Sequence, residues 1–148
     1  MKLITFILAG MMSVAAYAHD EGHGPKLSDT GKYGGLVSGV VAKSDTAKKG
    51  KADLIHKAEL VRSSDGTVRV YLYDKSMKTL DAKGFDAKGT AELGSKVKGK
   101  WKTASFALEL KDGAFVGNMP KPESKPYSID VTVTENGKAL LSAFDNLD

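Results

Sequence analysis

The chain of 148 residues contains no cysteine, 4 prolines, 3 histidines and 1 tryptophan, and its aromatic residues make up 7%. Without cysteine there is no disulfide staple, no thiolate ligand or nucleophile, and no thiol for lipid attachment. With three histidines, imidazole chemistry is confined to His19, His23 and His56. Long apolar runs are missing too, apart from Leu3 to Val14, which is shorter than the roughly 20 residues a spanning helix needs.

That run follows Lys2 and ends in Ala16-Tyr17-Ala18, the pattern of a cleavable signal peptide over residues 1–18. The expectation is an exported, periplasmic protein without a membrane anchor, starting at His19. The 130 residues that remain suit one domain with its own core. Basic and acidic residues, 22 and 18, are intermixed. This speaks for solubility and against a nucleic-acid footprint.

Residues 19–32 are polar, without helical or strand period, and read as a flexible, histidine-containing tail. Residues 33–148 read as the domain. Within it, Val68, Val70 and Leu72 alternate with Arg69, Tyr71 and Tyr73, as on a half-buried strand. Ala104, Phe106, Leu108 and Leu110 form a second apolar face, and Tyr127, Ile129, Val131 and Val133 a third. Ser64-Asp65-Gly66, Lys111-Asp112-Gly113 and Glu135-Asn136-Gly137 supply hairpin turns, because Asp-Gly and Asn-Gly tolerate positive φ. With Gly35–Ala42 and Gly89–Val97 added, seven to eight strands result, and no convincing helix. The expected fold is an antiparallel two-sheet sandwich, immunoglobulin-like or cupredoxin-like. Lys43–Lys51 is expected to be a solvated loop.

Enzyme signatures are absent. Gly94 to Trp101 approaches a phosphate-binding loop but places Trp101 where a magnesium-binding hydroxyl is needed, and Gly35-Leu36-Val37-Ser38-Gly39 lacks the pattern of a nucleophile elbow. The expectation is a non-enzyme. His19-Asp20-Glu21-Gly22-His23 carries more chemistry, since cleavage after Ala18 would leave an α-amine and imidazole able to chelate Cu(II), Ni(II) or Zn(II). His56 falls on the face of Leu54, Ala58 and Leu60, where a core or edge role competes with ligation, and Glu59 falls on the opposite face with Lys57. Met77 and Met119 occupy turn-like surroundings and could meet Cu(I) or simply fill gaps.

Gly34-Gly35, Ile55-His56-Lys57-Ala58-Glu59-Leu60-Val61, Gly66 to Asp74 and Gly84 together resemble a family of small exported β-domains over residues 33–134. Such domains occur alone or beside the periplasmic adaptor subunits of heavy-metal efflux pumps. The family usually opens with His-Gly-Gly, and here Tyr33 stands in place of that histidine. The resemblance implies a periplasmic metal-binding or metal-handling accessory protein for copper or zinc, with His19, His23 and His56 as candidate ligands and an efflux component as partner. The alternative is a non-catalytic interaction module that uses an exposed strand edge or a lysine-bearing loop.

Overall fold

The computed structural model describes residues 25–48 and 51–148. Eight strands are present: β1 (Leu36–Ala42), β2 (His56–Arg62), β3 (Thr67–Tyr73), β4 (Lys88–Val97), β5 (Lys100–Lys111), β6 (Ala114–Asn118), β7 (Tyr127–Glu135) and β8 (Lys138–Leu147). The turns behave as their residue types require. Asp112-Gly113 and Asn136-Gly137 all have positive φ, between 48° and 79°.

The strands do not divide into two sheets. They close into one antiparallel barrel in the order β1-β2-β3-β6-β5-β4-β7-β8, so the expected sandwich is corrected. Closure depends on pairings between strands far apart in sequence. β1 pairs with β8 through Val40–Ala42, and β3 pairs with β6 through Thr67–Tyr71. β4 pairs with β7 through Thr90–Ser95. Alternation and hairpin turns look the same in a sandwich and in a barrel, because both present one apolar face per strand.

The apolar faces on β3 and β7 point inward, with Val70 and Ile129 fully buried, whereas on β5 only Leu108 is fully buried, Phe106 and Leu110 pack against the core, and Ala104, expected to be buried, is exposed. In a barrel of eight strands, side chains suffice to fill the lumen. A small pocket of about 10 Å³ lies among Leu72, Leu80, Phe85, Leu110 and Phe115. That is room for about one water. Arg69, Glu92 and Glu109 are exposed on the outer surface, the reverse of the apolar-out pattern of membrane-spanning barrels. No helix among the described residues is long and apolar enough to cross a membrane.

One register change was not legible. Tyr127 pairs with Leu147 while Ile129 pairs with Phe144, so β8 carries an extra residue at Asp145-Asn146. Asn146 takes the left-handed conformation, φ 54°, and the bulge turns Leu147 into the core beside Phe144. Lys43–Lys48, within the expected loop, forms a 3-10 turn packed against β1 and β8.

Ser142 faces the lumen opposite Val131, and its Oγ is buried without a hydrogen-bond partner among the described residues. Since an unsatisfied buried hydroxyl is unfavourable, Ser142→Ala should raise unfolding free energy by about 1 kcal/mol in urea. A clear loss of stability would show that the hydroxyl is satisfied after all.

Candidate functional site

Three groupings of polar residues stand out from the filled core. The first is centred on Glu59, on the outer face of β2, with its side chain fully buried. The incoming segment Asp29–Gly35 crosses over it. Backbone N–H groups of Tyr33 and Gly35 donate to Oε1 at 2.8 Å each, and that of Lys32 donates to Oε2 at 2.9 Å. The Tyr73 hydroxyl donates to Oε2 at 2.7 Å.

Burial alone would raise the Glu59 pKa, but the donors from Tyr73, Gly35, Tyr33 and Lys32 outweigh it and hold the carboxyl below its ordinary 4.5. The Tyr73 hydroxyl is pushed upward, first by burial and then by its bond to the Glu59 carboxylate. Small residues allow the approach: a Cβ on Gly31 would strike the Glu59 carboxylate, and one on Gly35 would strike the Leu60 carbonyl. Around this centre, Lys57 pairs with Asp29 at 2.8 Å, Tyr33 stacks on Tyr71 at 4.1 Å, and Lys32 lies over the Tyr73 ring. With each oxygen accepting two bonds, the cluster is a clasp for the chain's own N-terminal segment.

The second grouping contains His56. As the alternation requires, it shares the inner face with Ala58 and Leu60, at the end of β2. Its Nε2 lies 2.7 Å from Glu135 Oε2, and its ring lies 6.0 Å from that of Phe85. Phe85 forms an isolated bridge with Glu135, which brings the β3–β4 connection and the start of the β7–β8 turn to the same rim. His56 therefore meets Glu135 and not Glu59, which is occupied on the other face. His19 and His23 lie outside the described residues. Among the described residues no three His, Cys, Asp or Glu side chains gather to hold a metal. Met119 packs against the core, and Met77 sits in a turn at φ 63°.

The third grouping is the β4–β5 hairpin. Gly94 to Trp101, the stretch that resembles a phosphate loop, is the end of β4, a two-residue turn at Lys98-Gly99 with φ of 50° and 80°, and the start of β5. β5 begins at Lys100, earlier than its apolar alternation suggested. Its ladder with β4 runs from Lys100 to Glu109, whereas its ladder with β6 covers only Glu109 to Lys111. Over Lys102–Ser105 it thus has a neighbouring strand on one side only among the described residues, and these residues are exposed.

The direction of the open edge follows from one hydrogen bond. Leu110 N–H donates to the Ala87 carbonyl on the β4 side. Backbone groups alternate sides along a strand, so those of Thr103 and Ser105 point away from β4. Lys96, Lys98, Lys100 and Lys102 line the hairpin, with Trp101 44% exposed opposite Lys96. Among the described residues Glu123 reaches this row, 3.1 Å from Lys102, and both side chains are more than half exposed.

No protein-family model, curated protein or solved structure matches this chain. The Glu59 clasp is saturated by its own chain and leaves no acceptor for a ligand. The His56 pair supplies two groups at a partly covered rim. The hairpin alone combines accessible backbone, concentrated charge and exposed aromatic surface. Its signal in the sequence was the alternation of lysines from Lys96 to Lys102, which reads as strand continuation once the Lys98-Gly99 turn is recognised.

Proposed function

We propose that this chain is a non-catalytic interaction module of the bacterial periplasm, which engages a partner through the β4–β5 hairpin and the open edge of β5. One observation carries the reading: over Lys102–Ser105 a long strand keeps one side without a neighbouring strand among the described residues and is exposed throughout, whereas Ala143–Leu147 of β8, which also pairs on one side only, is largely buried. Open edges pair readily with other chains, and proteins commonly shield them. Here the lysines shield the edge against indiscriminate pairing and leave its backbone accessible.

A photo-crosslinking residue placed at Thr103 in the exported protein should give one discrete adduct in intact envelopes. The same residue at Arg69, exposed on β3 between two paired neighbours, should give none. Equal adducts at both positions, or none at Thr103, would contradict the reading.

The His56–Glu135 pair supports a second reading, metal handling for copper or zinc in the service of efflux. Imidazole and carboxylate lie at 2.7 Å, and the Asp29–Lys57 ion pair fixes the incoming segment one residue along β2 from His56. Further ligands would have to come from His19 or His23. If they do, Cu(II) affinity should fall at least tenfold both in His56→Ala and in protein with an extra glycine before His19. Unchanged affinity in both would remove this reading.

A further inference from the structure

We infer that the partner of the β5 edge is an extended acidic segment, with carboxylates at alternate positions, that adds to the barrel as a strand. The inference rests on the interaction-module reading and names the chemistry of its partner. Lys100 and Lys102 are two residues apart on β5, so they project from the same face, while Trp101 projects from the other beside Lys96. A strand laid along Thr103 and Ser105 places its own alternate residues next to these two faces. Acidic side chains two apart meet Lys100 and Lys102, and an apolar side chain between them meets the Trp101 face.

The alternatives fit less well. A second copy pairing through the same edge would set lysines against lysines, which opposes association. An anionic lipid surface would use the lysines and Trp101 but leave the backbone groups of Thr103 and Ser105 without partners in a water-poor interface. The protein itself shows the preferred contact, since Glu123 already reaches Lys102 at 3.1 Å. An incoming carboxylate replaces Glu123 at a contact where both groups are more than half exposed.

The test uses the full-length processed protein and three synthetic peptides: alternating glutamate and valine, alternating lysine and valine, and the glutamate peptide with alternate backbone amides methylated. The glutamate peptide should bind, slow hydrogen exchange at the Thr103 and Ser105 amides, and exceed the other two in affinity by at least tenfold. Reversing charge in Lys100→Glu with Lys102→Glu should transfer the preference to the lysine peptide. Methylated and unmethylated peptides of equal affinity would overturn strand addition. So would slowed exchange elsewhere than at β5, or binding to phosphatidylglycerol vesicles with none to any peptide. A crosslinked partner at Thr103 whose binding ignores the charge reversal would keep the interaction module and eliminate the acidic strand.

Discussion

Replacing Glu59 with glutamine is expected to lower unfolding free energy by roughly 2 to 4 kcal/mol, since several hydrogen bonds to one buried charge are lost or reversed together. The carboxylate accepts from three backbone N–H groups and the Tyr73 hydroxyl. A glutamine offers one oxygen, and its NH₂ must face donors, which leaves at least one buried N–H unpaired. The amides of Lys32, Tyr33 and Gly35 should lose exchange protection in the same variant.

Its pH dependence has a defined sign. The folded Glu59 pKa is depressed below 4.5, so the group's contribution is fully present above the unfolded value and is lost as pH falls through the folded one. Wild-type stability should therefore decline below about pH 4.5, and Glu59→Gln should decline less steeply there. Asp65, Asp74 and Glu109 are also depressed, by a backbone bond from Thr67, a backbone bond from Lys78 and a side-chain bond from Lys111 respectively. All three remain in the variant, so the difference between the two curves isolates Glu59. Identical acid slopes, or a stability loss well under 1 kcal/mol, would show that the clasp contributes little.

Leu108→Ala should cost about 2 to 5 kcal/mol in urea unfolding, the range for removing a buried leucine from a packed core. Leu108 is fully buried, and a Cβ on Gly117 of β6 would strike its Cδ2. Little slack exists there for the barrel to collapse into the cavity. Arg69→Ala, on the exposed outer face of β3, should change stability by no more than about 0.5 kcal/mol. Comparable losses in both variants would mean that inner and outer faces are misassigned.

Much of this barrel could be read residue by residue. Each of the eight strands overlaps a segment that alternation and turn chemistry mark, although β5 starts at Lys100 and not at Ala104, and Val70, Leu108 and Ile129 face inward as their spacing requires. Local patterning carries that information because it reports which face of a strand is apolar. It does not report which distant strand lies alongside. Val40 beside Ser142 and Ala91 beside Val131 decide between barrel and sandwich, and nothing in either neighbourhood names the other. The bulge at Asn146 escaped because it has no glycine to announce it.

The sites were legible unequally. His56 was placed on the correct face, but its partner Glu135 is 79 residues away and emerges only from the folded rim. Glu59 was read correctly as opposite in facing to His56, yet its role as a buried clasp depends on Gly31 and Gly35 passing above β2. The lysine row on the β4–β5 hairpin lies in the stretch compared with a phosphate-binding loop, and it forms a surface because β5 starts at Lys100.

Amide hydrogen exchange along β5 of the free protein tests the open edge most directly. Lys102 and Ala104, whose backbone groups face β4 opposite Ser95 and Leu93, should be protected, whereas Thr103 and Ser105 should exchange nearly as fast as in an unstructured chain. Alternating protection over these four residues is the result the account predicts. Uniform protection would mean that the edge is already covered, and would contradict the proposed docking surface.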